Sequence, residues 1–226
     1  METRLKTMPG AWEIAPSVLA YTIHTDTTTV AWAYGLRNLI IPNGECLGLA
    51  GMPFDHARNT ACQHVLERGF EWAFSLDSDV IAPRDAVIRL LAHNQPIISG
   101  LYNRRSPPHA IPVMIKDGQW VVNFPRGHVI EVDLVGAGCL LIHRSVLERF
   151  LTKPGRPGKP WFDWRVDLKG HAPGHECLSE DFSFCWRAKS EFGYKILVDS
   201  SVECRHVGLA EATYGAFGPL NCSPVT

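Results

Sequence analysis

Glu71-Trp72-Ala73-Phe74-Ser75-Leu76-Asp77-Ser78-Asp79-Val80 is an apolar run that ends on two carboxylates one residue apart. Glu71 to Leu76 reads as a buried strand. Asp77-Ser78-Asp79 is then the turn at its carboxyl end, the edge of an open α/β sheet where ligands bind. In an extended turn both side chains of such a pair reach the same mouth. A hard divalent cation held by one or two carboxylates plus phosphate oxygens is the usual use of that arrangement. The triplet alone is equally at home in a solvated turn, so the flanking sequence has to decide.

Upstream, Val18 to Ile23 is a short β-rich run that gives way to the polar stretch His24 to Thr29, and Val30 to Leu39 has helical periodicity. Cys46 to Ala50 is a second strand. Phe54 to Arg68 places Ala57, Ala61 and Val65 at a four-residue repeat, and Gly69 follows where a helix is closed by a left-handed residue. Downstream, Pro83 suits the first turn of a helix with Val87, Leu90 and Leu91 on its buried side, and Ile97 to Leu101 is another strand. This strand–helix alternation up to about residue 101 predicts a mostly parallel central sheet flanked by helices.

Beyond it come short strands at Ile111–Ile115, Trp120–Phe124 and Val129–Val135 with turns between, a smaller antiparallel region. Val135 to His143 reads as central and buried, Arg144 to Leu151 as a short helix, and Pro154 to Pro160 as a loop. Ser179 to Phe192 reads as a helix capped by Ser179, with Glu180 and Asp181 in its first turn. Lys195–Asp199 and Val202–His206 read as closing strands. No repeat or linker interrupts the pattern, which describes one α/β domain.

At 226 residues the chain has room for one substantial core and not for two large ones. Lys plus Arg (22) nearly balance Asp plus Glu (23), so no global charge argues for nucleic acid or a membrane surface as partner. Arg84, Arg89, Arg104 and Arg105 form at most a local basic stripe, more simply a solvated face. The 7 cysteines include no C-x-x-C pair, and their odd number and apolar settings fit reduced thiols better than a disulfide framework. The first residues show no secretory pattern, and apolar runs fall short of the roughly 20 residues of a membrane span. A soluble, cytoplasmic protein is the expectation.

Four motifs, the first made of three segments, then carry a resemblance. Ala57-Arg58-Asn59, Asp77-Ser78-Asp79-Val80 and Ile98-Ser99-Gly100-Leu101-Tyr102 resemble the first half of GT-A fold (Rossmann-like) glycosyltransferases, specifically their large inverting family, family 2. Val135-Gly136-Ala137-Gly138-Cys139-Leu140-Leu141-Ile142 resembles the glycine-containing strand of the acceptor side, Glu180-Asp181-Phe182 the acidic helix start, and Arg205-His206-Val207-Gly208 the C-terminal histidine segment. The resemblance spans about residues 17–208, with a nucleotide-sugar half over about 17–101 and an acceptor half over about 102–208. Residues 1–16 and 209–226 are terminal extensions.

The resemblance implies a metal-dependent transfer of a sugar, a hexosyl group, from a nucleoside-diphosphate sugar, a UDP-sugar foremost, to an acceptor hydroxyl with inversion. Asp79 with Asp77 and His206 would hold Mn²⁺ or Mg²⁺, a hard oxygen set with one imidazole. Asp181 would be the general base, with Glu180 its competitor; both also serve a helix N-terminus electrostatically. Thr22, His24, Asp26, Arg58, Asp77 and Ser78 would line the nucleotide-sugar; the competing explanations are a helix-surface salt bridge for Arg58 and loop polarity for the first three. Trp161 and Phe162, with Gly138, fall on the acceptor side, where aromatic faces suit sugars and core packing is the competing use. The acceptor is open: glycan, lipid, protein or a modified DNA base. His171, His175 and Cys177 have a zinc-like spacing without a fourth ligand.

Two other classes share parts of this pattern. A nucleotidyltransferase acting on a sugar phosphate would use a similar sheet and acidic site, but normally with a glycine-rich basic loop after the first strand, and Tyr21 to Thr29 contains no glycine. A non-catalytic sugar-binding module would need neither carboxylate pair.

Overall fold

The computed structural model describes residues 15–24, 27–104, 111–165 and 177–207. In chain order the elements are β1 (Val18–His24), α1 (Val30–Asn38), β2 (Gly44–Ala50), α2 (Phe54–Arg68), β3 (Trp72–Asp77), β4 (Val80–Ile81), α3 (Ala86–Ala92) and β5 (Ile97–Leu101). There follow β6 (Met114–Lys116), β7 (Gln119–Trp120), β8 (Val129–Val132), β9 (Leu134–Val135), β10 (Cys139–His143), α4 (Arg144–Leu151), α5 (Glu180–Ser190), β11 (Ile196–Glu203) and β12 (Arg205–His206).

A seven-stranded sheet in the order β2-β1-β3-β10-β5-β11-β8 forms the centre. β2, β1, β3, β5 and β11 run in one sense, while β10 and β8 oppose their neighbours. The α/β class, with a mostly parallel sheet between helices and small antiparallel sheets at its side, is as the alternation predicts. Strand alternation divides the core. Leu19, Tyr21 and Ile23 face α2, α4 and α5, whereas Val18 and Ala20 face the side covered by α3 and the end of α1. Ala57, Ala61 and Val65 are fully buried along α2, and Gly69 closes that helix at φ 78°, as its residue type requires. Thr29 caps α1 by accepting the Trp32 N–H at 3.1 Å.

Of the expected strand Trp120–Phe124 only Trp120 is extended, in β7, and the expected break between the closing strands falls after Glu203 instead of after Asp199; three further expectations change in the structure. Pro83 lies outside the helix. The extended pair Val80–Ile81 is held by β12, so residues 83–85 form the turn that leads into α3 at Ala86. The single run 129–135 is two strands on different sheets, β8 on the edge of the central sheet and β9 beside β6, divided at Asp133, whose N–H donates to the Ile115 carbonyl at 2.8 Å. Ser179 precedes α5 but makes no side-chain cap; its hydroxyl donates to Asp181 instead. The six described cysteines are all free thiols, with Cys62, Cys139, Cys185 and Cys204 buried. Among the described residues no helix is long and apolar enough to cross a membrane.

Candidate active-site crevice

β3 delivers the acidic turn to the carboxyl edge of the sheet, with Asp77 in register with Ile23 of β1. Hydrogen bonds to main-chain groups fix the turn from three sides. The Asp77 N–H donates to the Gly138 carbonyl (3.1 Å), Trp32 Nε1 donates to the Asp77 carbonyl (2.9 Å), and the Val207 N–H donates to the Asp79 carbonyl (2.6 Å). Thr28 adds a bond from its hydroxyl to the Ser78 carbonyl at 3.2 Å. The last contact with 207 follows from the β12–β4 pairing, which sets His206 opposite Val80. His206 Nε2 therefore stands 3.2 Å from Asp79 Oδ2. Its Nδ1 lies 2.7 Å from the Asn103 carbonyl oxygen. A carbonyl only accepts, so the proton is on Nδ1, the outer hydrogen bond that orients metal-binding histidines.

Beneath the turn sits Arg58 of α2, 2% exposed. Its guanidinium donates to Ser75 Oγ (2.7 Å), Asp77 Oδ1 (3.0 Å) and Glu180 Oε1 (3.2 Å). A buried cation is tolerated only when paired in this way. Burial raises the Asp77 carboxyl; Arg58 pulls it back and Asp79 pushes it up again. Burial and the adjoining Asp181 lift Glu180 to about 7 against the pull of Arg58. Asp181 is held differently, its carboxylate accepting from Ser179 Oγ, from the Phe182 N–H (2.8 Å) and from the Ala137 N–H (3.2 Å). Asp77, Asp79, Glu180 and Asp181 thus share one region with a single buried guanidinium.

The folded protein keeps Glu180 protonated to higher pH than an unfolded chain would. The stability tied to that proton is complete below about pH 4.5 and is lost as pH rises through about 7. Glu180→Gln, which stays neutral, is expected to flatten this decline when denaturant unfolding is followed from pH 5 to 8.

Of the residues singled out in the sequence, the fold brings Asp77, Ser78, Asp79, Glu180, Asp181, His206, Arg58 and Gly138 together. Of the three side chains expected to hold a metal, Asp79 and His206 stand beside one another, while Asp77 turns its Oδ1 to Arg58. Among the described residues no three His, Cys, Asp or Glu side chains are gathered closely enough to hold a metal. Two protein ligands, one hard oxygen and one imidazole, still suit Mg²⁺ or Mn²⁺, which keep water and phosphate oxygens in their remaining positions. Arg58 lies under the crevice and not on its surface, where a phosphate would meet it.

Thr22 is buried, and it and His24 stand on the strand face opposite Tyr21 and Ile23. His24 reaches the sheet edge beside Gly48, where an added Cβ would lie 3.0 Å from its Nε2. Trp161 and Phe162 are core residues: Trp161 Nε1 donates to the Leu147 carbonyl (2.9 Å), and Phe162 stacks on Phe184 at 4.6 Å. Neither presents a face to a sugar; Trp164, two residues beyond Phe162, is exposed. Asp26, His171 and His175 lie outside the described residues.

Residues missed by the sequence reading complete the crevice. Tyr102 packs its ring edge-on to His206 at 5.7 Å, and its hydroxyl accepts the Gly138 N–H at 2.9 Å. Its signal was its place at the carboxyl end of β5, the same edge as Asp77. The glycines of Gly136-Ala137-Gly138 make room for it. A Cβ on Gly136 would fall 2.0 Å from the Tyr102 hydroxyl, and one on Gly138 2.8 Å from Cζ. Gly136→Ala is therefore expected to destabilise the protein by about 1–3 kcal/mol in denaturant unfolding, through overpacking.

No protein-family model matches the chain, and no curated protein matches it in sequence. Among solved structures, a glycosyltransferase involved in the glycosylation of the major capsid of PBCV-1 aligns over 59% of this chain and 63% of its own, at 16% identity and TM-score 0.33. UDP-glucose pyrophosphorylase complexed with UDP-glucose aligns over 85% and 93%, at 9% identity and TM-score 0.48. Both superpose loosely. A197 from STIV superposes with TM-score 0.60 at 17% identity, over 88% of this chain and 94% of that one, so the two share a fold across nearly their whole lengths.

Proposed function

We propose that the chain is a metal-dependent glycosyltransferase that moves a hexosyl group from a nucleoside-diphosphate sugar, a UDP-sugar foremost, to an acceptor hydroxyl with inversion. The observation that carries this reading is the meeting of Asp79 and His206 at the end of β3, in one crevice with Asp181 at the start of α5. Asp79 and His206 would hold Mn²⁺ or Mg²⁺, with Asp77 next to them. Bound there, the cation supplies positive charge to the departing diphosphate. Asp181, fixed by three donors, takes the proton of the acceptor hydroxyl. Arg58 keeps Asp77 and Glu180 in place from below. The free thiols fit a cytoplasmic setting.

A panel of UDP- and GDP-sugars with Mn²⁺ tests the reading through release of the nucleoside diphosphate, followed by glycan, lipid, protein and modified-DNA acceptors. Pyrophosphate-dependent turnover of the same donors would instead identify a nucleotidyltransferase. Absence of nucleotide binding by calorimetry would leave a sugar-binding module.

A further inference from the structure

Tyr102 is 6% exposed, yet only half of its hydrogen-bonding capacity is spent within the fold. Its oxygen accepts from Gly138, while its own proton goes to no acceptor among the described residues. A buried hydroxyl proton without a partner costs free energy unless something else receives it. Two backbone positions are kept as glycine where any side chain would collide with this phenol, so its placement is built into the loop between β9 and β10. The phenol also holds position against the His206 ring.

What surrounds the hydroxyl narrows the ligand. The loop that binds the hydroxyl also holds two carboxylate residues, the Gly138 carbonyl accepting the Asp77 N–H at 3.1 Å and the Asp181 carboxylate accepting the Ala137 N–H at 3.2 Å. A phosphate oxygen would be repelled by two neighbouring carboxylates. A sugar hydroxyl would not, since it can accept from the phenol and donate to a carboxylate at once.

We propose that Tyr102 is a donor-sugar specificity residue, its hydroxyl donating to one hydroxyl of the sugar ring lodged between Asp77 and Asp181. This rests on reading the crevice as a nucleotide-sugar site. Tyr102→Phe keeps the ring against His206 and fits between the glycines. It removes the donor, and with it the acceptor for the Gly138 N–H.

Calorimetry in Mn²⁺ with UDP, UDP-glucose and the four monodeoxy UDP-glucoses, on both proteins, separates the possibilities (with GDP, GDP-mannose and its deoxy analogues if the guanosine pair is the one that binds). The variant is expected to bind UDP within about twofold of wild type and UDP-glucose about tenfold more weakly, the worth of one neutral hydrogen bond. One deoxy analogue should lose about tenfold on wild type and nothing more on the variant, as coupling between the two groups requires. Equal losses for UDP and UDP-glucose, or analogue losses identical on both proteins, would overturn the assignment, since a merely structural role moves nucleotide and nucleotide-sugar together. Wild type that binds neither nucleotide would remove the donor-site reading first, and the role of Tyr102 with it.

Discussion

Asp79→Ala is expected to weaken Mn²⁺ binding by more than about 100-fold and to bring nucleoside-diphosphate release from a nucleotide-sugar down to background. Loss of an outer-sphere partner alone typically costs a metal site 10–100-fold, and Asp79 is assigned to direct coordination. The fold should survive. Asp79 is partly exposed, and what ties its turn to the end of the chain is a main-chain bond, Val207 N–H to the Asp79 carbonyl, which alanine retains. Metal titration and unfolding measured on the same preparation check both halves. Undiminished Mn²⁺-dependent release in a folded Asp79→Ala protein would refute the metal assignment, and with it the use made of His206.

Asp181→Asn is expected to lower the transfer rate by about 10²–10⁴-fold, the usual worth of a general base, with nucleotide affinity held within a few-fold. The substitution also has a structural cost. Both carboxylate oxygens accept main-chain N–H groups, from Phe182 and from Ala137, and an amide can accept with only one. A loss of about 1–3 kcal/mol in stability should therefore accompany the kinetic loss. The split between rate and nucleotide affinity tells the two apart, because misplacing the 136–138 loop would disturb the Asp77 turn and the nucleotide together. Transfer at a near-normal rate would assign the base to another residue. Glu180 is the weaker choice on geometry, since it faces Arg58 below the surface.

Much of this arrangement was legible in the residues. The α2 helix runs over Phe54–Arg68 as its four-residue repeat and Gly69 predict, because a repeat of small apolar residues and a glycine stop are both local signals. β5 is equally plain as a short apolar run. That Asp79 and His206 meet could be expected only from the order of four motifs, since pairing between β12 and β4 leaves no local mark. The orientation of Asp77 was beyond reach: it depends on the rotation of α2, which aims Arg58 at the strand face carrying Ser75 and Asp77. Trp161 and Phe162 follow a proline- and glycine-rich loop with no period, so nothing local distinguished a core pair from a surface platform. The run 129–135 looked like one strand because both of its halves are β-rich. Only the partner sheets separate them.

The place of β10 has a consequence for how the chain assembles. β3 and β5 are near neighbours in sequence but are never bonded to each other; the slot between them is filled by Cys139–His143, which pairs with both. During synthesis, every strand up to β5 is finished while that slot is still empty, leaving two apolar edges facing one another without a ladder. Such edges invite intermolecular pairing. Completion waits for a contact between segments far apart along the chain, so the insertion of this strand is expected to be the slow, self-association-prone step of folding.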